Sequence, residues 1–180
     1  MWIKKMEWLE TKNLTVLRCH DFWDSYPEIG VHGAWTKWLG YIKPPIKVDN
    51  YYKLHEITAV TLEKLCKKIL EKTRPLGQDS IHVIGDLDKI IPKITLGTGA
   101  ASKYREMHAF GGDVIVLADD GTMLWESGQW TKDTGVPLII VNHSLLEEPG
   151  MRTLANYLKD VFPDVPDMQI PVGCIYKCIY

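Results

Sequence analysis

The sequence predicts an α/β fold, with a mixed, mostly parallel sheet covered by helices on both faces. Three observations predict it. The runs Asp113 to Ala118 and Val136 to Val141 are apolar almost throughout, as strands buried on both sides must be. Segments with helical spacing alternate with strand-like ones along most of the chain. At 180 residues and 46% hydrophobic content, the chain can bury the core of one domain or of two small ones sharing it.

In chain order, Asn13 to Arg18 is a short β-branched run that reads as a strand, ending in the polar cluster Cys19-His20-Asp21. Within Gly30 to Gly40, the spacing of Trp35, Trp38 and Leu39 predicts a short helix, which Pro44-Pro45 closes off. Tyr51 to Ile57 alternates as a strand does. Thr61 to Glu71 is a helix, with Leu62, Leu65, Cys66 and Ile69 at i, i+3, i+4 and i+7. A short strand and turn fall within Gln78 to Gly85. Ile91 to Leu96 reads as a strand, Gly97-Thr98-Gly99 as a tight turn and Ala100 to Phe110 as a helix. Thr122 to Thr131 is helix-like. Glu148 to Val161 is a helix with Met151, Leu154, Leu158 and Val161 inward, and Val172 to Ile179 reads as a final strand. The proline-containing segment Gly40 to Asn50 is the best boundary. It separates an N-terminal piece, residues 1–45, from a main α/β unit, residues 46–180.

A formal charge of −2 gives no electrostatic footprint for nucleic acid or for an anionic membrane. No apolar run reaches membrane-spanning length, and nothing resembles a signal peptide. Four cysteines in such a chain read as reduced structural thiols, which implies a cytoplasmic protein. His108 falls on an apolar helix face and reads as a core histidine. Five of the seven tryptophans lie in the first 38 residues: Trp2, Trp8, Trp23, Trp35 and Trp38. They predict an exposed apolar patch in a lone chain, packing beneath an upstream segment or against a neighbouring subunit.

Two pairs of residues carry metal-site chemistry. His143 follows an apolar strand and Glu147 lies four residues on, at the carboxyl end where open α/β sheets place their sites. His20 and Asp24 repeat that spacing, with Asp21 as a second carboxylate. Imidazole with carboxylate suits Zn, Mn or Fe(II). The competing assignment makes His143 and Asp24 capping residues and Glu147 a favourable charge at a helix N-terminus. Gly97, Thr98, Gly99 and Ser102 lie in a glycine-rich loop between strand and helix, able to cradle a phosphate or to serve simply as a close turn. The Asp119-Asp120-Gly121 turn follows another strand end and offers accessory polar groups. His32, His82 and Glu126 have no paired context, and His55 has no metal spacing.

Together these segments resemble the Nif-three-like dinuclear metal centre family, many of whose members carry the designation GTP cyclohydrolase I type 2. CHDFWDSYPEIGVHGAWTKWLG resembles its H-T-x-x-D…G-x-x…L-G stretch. TLEKLCKKILEKT and IHVIGDLDKIIPKITLGTGAAS look like its helix, its V-x-G-D turn and the strand entering a G-S-G-x-S loop. VPLIIVNHSLLEEPGMRTLANYL resembles its G-H-x-x-T-E motif, with Asn142 in place of the Gly and Leu146 in place of the Thr. FPDVPDMQIPV is similar to its closing segment. The resemblance runs in order from about residue 11 to the end.

It implies a divalent transition metal (Zn, Fe or Mn), one or two ions per chain, held by Asp24, His143 and Glu147 with His20 as ligand or close partner. It also implies a homohexamer whose sites face an inner cavity. The family carries a further histidine motif upstream of the H-x-x-x-D stretch, and none of the nineteen residues before His20 is a histidine. The chain is therefore expected to be a shortened product, or to hold one ion or none. Two functions follow. One is a metal-dependent hydrolase of a nucleotide or related phosphorylated small molecule, with His20 orienting water or shuttling protons. The other is a non-catalytic oligomeric scaffold or binding protein with a degenerate metal site. Dinucleotide binding through Gly97 and Gly99 lacks its third glycine.

Overall fold

The computed structural model describes residues 2–49 and 51–179. Its elements run α1 (Trp2–Thr11), α2 (Asp21–Asp24), α3 (Val31–Trp38), β1 (Lys47–Val48), β2 (Tyr52–Thr61) and α4 (Leu62–Thr73), followed by a 3-10 turn at Arg74–Leu76. Then come β3 (His82–Ile84), β4 (Ile90–Gly97), α5 (Tyr104–Ala109), β5 (Val114–Ala118), a π-turn at Leu124–Gly128, α6 (Gln129–Thr134), β6 (Leu138–Val141) and α7 (His143–Val161).

The six strands form one mixed sheet in the order β1-β2-β4-β5-β6-β3. The pairings β4 with β5 and β5 with β6 are parallel; β1, β2 and β3 join antiparallel. Parallel pairing is thus concentrated in the central strands, where both faces are covered. Alternation along each strand divides the core. Val114, Val116 and Ala118 of β5 join Ile94, Leu96, Ile139 and Val141 beneath α3, α4 and α7, with Trp35, Leu62, Leu65, Ile69, Leu145 and Leu146. Ile115 and Leu117 point the other way, to Leu138, Tyr104, Met107 and Phe110.

Local chemistry fixes the elements. Thr61 caps α4, its hydroxyl accepting from Lys64 N at 3.3 Å, and Gly77 at φ 94° closes the 3-10 turn that follows. Leu62, Leu65 and Ile69 make the buried stripe of α4, with Cys66 half-buried beside them and its thiol pushed up to about 11 by burial. In α7, Glu148 is buried and stays satisfied because the chain returns over it. Gln169 Nε2 donates to one carboxylate oxygen at 2.6 Å and Val172 N to the other at 3.0 Å. α3 packs across α7 at Gly150, where an added Cβ would stand 2.7 Å from Val31 Cα. Trp23 Nε1 donates to the Gly150 carbonyl at 2.8 Å and ties α2 to the same point.

Several expectations are corrected. Asn13 to Arg18 forms no strand. From Leu14 the segment is irregular, with Leu14, Val16 and Leu17 exposed, because no neighbouring strand offers it a ladder. Val172 to Ile179 is also without regular structure. It lies beside the 3-10 turn, with Cys174 N donating to Leu76 O at 3.2 Å. α7 begins at His143, five residues before the predicted start, and α5 begins at Tyr104 rather than Ala100. His108 is exposed and meets Trp130 edge-on at 5.1 Å between ring centroids. Of the five early tryptophans, Trp2 and Trp8 are exposed, Trp38 is half-buried, and Trp23 and Trp35 are core residues. The apolar patch is therefore narrower than expected. No helix among the described residues is long and apolar enough to cross a membrane.

Candidate metal centre

Because β4, β5 and β6 are adjacent and parallel, their carboxyl ends open on one edge of the sheet. The segments leaving that edge are Gly97 to Ser102, Asp119-Asp120 and Asn142-His143, so the topology gathers three loops that the sequence spaces far apart. Asp119 joins two of them. Its carboxylate accepts from His143 N at 3.0 Å and from Asn142 Nδ2 at 2.8 Å. In the first turn of α7 the imidazole of His143 stands between two acids. Nε2 donates to Glu147 Oε1 at 2.7 Å, and Nδ1 donates to the Asp120 carboxylate. With both ring nitrogens donating, the ring favours its charged form, and Glu147 and Asp120 raise its pKa to about 9 against the effect of burial. Gly99, at φ 64°, lets the β4 loop lie against this pair: a Cβ there would be 3.4 Å from both His143 Nε2 and Glu147 Oε1.

The second half of the site comes from α2. His20 precedes that helix and does not sit at a strand end. Its Nδ1 pairs with the Asp21 carboxylate and lies 3.8 Å from Asp24 Oδ2. Ligand atoms of His20, Asp21 and Asp24 all fall within 4.8 Å of one another. Asp24 reaches toward α7. Its carboxyl is raised above the usual range, first by burial and then by the negative charge of Glu147, while His20 and His143 act in the opposite direction. Asp24, Glu147 and His143 therefore share one electrostatic environment.

His32, which the sequence left without a partner, lies at the junction of the loops. It is buried on α3, its Nδ1 hydrogen-bonded with Thr98 Oγ1 at 2.6 Å, and Glu147 acts on it electrostatically. Burial pushes its pKa down to about 4, and its Nε2 has no hydrogen-bond partner. Thr98 and Ser102 are buried rather than displayed to solvent, and Ser102 Oγ is also without a partner. Tyr52 anchors the loop from below, its hydroxyl donating to Ala101 O at 2.8 Å and accepting from Lys103 N at 3.2 Å.

The structure thus brings His143, Glu147 and the Gly99 loop together with the Asp119-Asp120 turn, leaves Asp24 coupled to them electrostatically, and adds His32. The sequence marks the Asp119-Asp120 turn as an accessory because it follows a strand end, and the parallel pairing of β5 with β6 sets that exit beside His143. For His32 the sequence held no signal, because it lies between the apolar Val31 and Trp35 of one short helix. A cavity of about 260 Å³ behind the site is lined by Gln78, His82, Asp119, Asn142, Cys174 and Cys178. A larger one of about 350 Å³, between Tyr41, His55 and α4, touches none of the site residues.

The donor set fits a divalent cation. Imidazole and carboxylate are the donors such an ion takes; the ligand atoms of His20, Asp21 and Asp24 lie within 4.8 Å of one another, and Glu147 and His143 act on Asp24 electrostatically. Asp24, His143 and Glu147 are the side chains that would hold such an ion, with His20 beside Asp24.

A mixed α/β sheet whose parallel strands deliver an imidazole–carboxylate cluster to one edge defines the class of protein. The chain belongs to the Duf34/NIF3 (NGG1p interacting factor 3) family, whose model matches residues 3–177. Among solved structures it is similar to the hypothetical protein SA1388 of Staphylococcus aureus, with 19% identity, a TM-score of 0.73, and 95% of this chain and 71% of that one covered. It is also similar to reduced HcgD from Methanocaldococcus jannaschii, with 18% identity, a TM-score of 0.66, and 88% and 62% covered. TTHA1606 from Thermus thermophilus follows at 17% identity and a TM-score of 0.67, with 88% and 61% covered. The chain thus spans between 61% and 71% of the lengths of these three, and at such identities the likeness is one of fold. No curated protein matches the chain.

Proposed function

We propose that the protein binds a divalent transition metal through Asp24, His143 and Glu147, with His20 alongside, and acts as a hydrolase of a small phosphorylated molecule such as a nucleotide. The reading is supported above all by the His143–Glu147 pair, 2.7 Å apart, acting electrostatically on the half-buried carboxyl of Asp24 on a separate element. When bound, the ion supplies Lewis-acid chemistry. The chain's own residues do the positioning. Asp119 and Asp120 orient His143 from the backbone side and from Nδ1, leaving Nε2 directed at Glu147. Half-exposed His20, paired with Asp21, is placed to exchange protons with solvent. Assembly as a homo-oligomer belongs to the same proposal.

The test is metal content after loading with Zn, Mn or Fe(II), followed by hydrolysis of a nucleotide panel. The parent is expected to retain about one equivalent, and the His143→Ala/Glu147→Ala double variant below about a tenth. Equal retention by both would overturn the metal assignment. A loaded parent that hydrolyses no nucleotide would favour the scaffold reading instead, which the exposed α1 also suits.

A further inference from the structure

Past Glu56, β2 runs out of step with β4. Glu56 pairs with Lys93, yet Val60 pairs with Ile91, so four steps along one strand answer two along the other. Such an irregularity bends the strand and re-aims its side chains. Ile57 and Thr58 lie within it, and both line a cavity of about 350 Å³. The other walls are Leu65, Lys68 and Ile69 of α4 and the segment Leu39 to Lys43 that follows α3. That volume falls among small-molecule sites, which run from about 300 to 1,000 Å³.

The lining has two characters. Leu39, Ile57, Val60, Leu65 and Ile69 are apolar, while Lys43 and Lys68 stand against one acid, Glu56. A second cavity, of about 270 Å³, shares Tyr41, Ile42, Lys43 and His55 with the first and adds Lys37 and Lys53 against Glu28. Four lysines and two glutamates therefore line the two cavities, whereas the whole chain holds 21 basic and 23 acidic side chains. The local positive excess is thus a property of the place and not of the composition. Lys53 is held below the ordinary lysine range, first by burial and then by Lys37, with Glu28 acting the other way; an anion nearby relieves that repulsion. His55 lines both cavities. It is buried beneath Tyr41, and its Nε2 has no hydrogen-bond partner. Buried polar atoms are ordinarily partnered, so this nitrogen marks a polar demand that the chain itself leaves unmet beside the cavity.

We propose that the cavity between β2, α4 and Leu39 to Lys43 binds a small organic carboxylate with an apolar body. The body lies on Ile57, Val60, Leu65 and Ile69. Lys43 and Lys68 take the carboxylate, and His55 Nε2 is the hydrogen-bonding group in the wall beside it. None of the residues of the candidate metal centre lines this cavity, so the two sites are separable by mutation.

The experiment is isothermal titration at pH 7 with three probes: 4-phenylbutyrate, its uncharged counterpart 4-phenyl-1-butanol, and acetate. Phenylbutyrate is expected to bind with a Kd below about 1 mM, and the alcohol and acetate at least about tenfold more weakly. Lys43 and Lys68 are exposed, so the Lys43→Met/Lys68→Met double variant should keep the parent's circular dichroism and melting midpoint. It should weaken phenylbutyrate by about tenfold and leave the alcohol unchanged. Thr58→Trp places an indole in the cavity and should abolish binding of phenylbutyrate, while metal retention stays at the parent's level. No binding of phenylbutyrate up to about 10 mM would overturn the proposal. So would an alcohol that binds as tightly as the carboxylate, a double lysine variant with unchanged affinity, or a folded Thr58→Trp that binds as the parent does.

Discussion

Replacing Gly150 with alanine tests the contact that joins the two halves of the candidate site. The added Cβ would lie 2.7 Å from Val31 Cα, whereas carbon atoms in contact sit about 3.5–4.0 Å apart. The shortfall is about 1 Å, and it falls on backbone, so no rotamer change relieves it. α3 must therefore move off α7, which strains the bond from Trp23 Nε1 to Gly150 O. Overpacking costs about 1–3 kcal/mol. A weakened buried indole hydrogen bond costs about 1–3 kcal/mol more. The gain in helix propensity on going from Gly to Ala is about 1 kcal/mol. The net is a loss of about 3 kcal/mol, which for a chain of this size lowers the melting midpoint by about 6–12 °C. The same displacement shifts Asp24 away from His143 and Glu147, whose mutual geometry lies within α7 and is kept. Metal affinity measured by competition with a chromophoric chelator should therefore fall even where the variant is fully folded. A midpoint equal to or above the parent's would refute the packing argument. An unchanged affinity in a destabilised variant would refute the role of Asp24.

Two further outcomes follow from buried polar groups. His55 is 2% exposed, stacked with Tyr41, and burial holds its pKa down at about 4, below the 6.5 of an unfolded chain. As pH falls from 6.5 toward 4 the unfolded state takes up a proton that the native state refuses, so up to about 3 kcal/mol of stability is lost across that window. His55→Phe keeps the ring and removes the titration, so urea midpoints at pH 7 and pH 4.5 should lie closer together than in the parent; equal pH dependence would count against the assignment. Tyr52→Phe removes the hydroxyl that donates to Ala101 O and accepts from Lys103 N, and should cost about 1–2 kcal/mol. Hydrogen exchange should quicken in residues 98–103 before any other segment, and uniform quickening would show that the hydroxyl does not hold that loop.

How far the sequence could be read depended on whether a residue's surroundings are local. β5 and β6 were legible because strands buried on both faces have no polar positions to confuse the pattern. The His143–Glu147 pair was legible because two residues four apart share a helix face wherever that helix begins. The early start of α7 did not disturb it. Asn13 to Arg18 failed for the converse reason. β-branched residues suit a strand, yet a strand exists only with a neighbour, and the sequence does not show whether one is present. The pairing of Asp120 with His143, and any role for His32, depended on long-range facts of the same kind: the order of the strands, and the crossing of α3 over α7.

The two halves of the site accordingly rest on unlike foundations. His143, Glu147 and Asp120 are fixed by the exits of adjacent core strands and one helical turn, and these cannot move without disturbing β5 and β6. His20 and Asp24 are carried by a four-residue helix whose hold on the rest of the molecule is Trp23 packed at Gly150. Before that helix the chain is exposed from α1 to His20. An ion drawing Asp24 toward Glu147, or a neighbouring chain packed over this approach, would stabilise the same arrangement. On the proposed function, metal binding and assembly would then be linked. By reciprocity, whatever factor association adds to metal affinity, metal must add to association. Equal chain-association constants with and without Zn would show that the α2 half is already fixed in the lone chain.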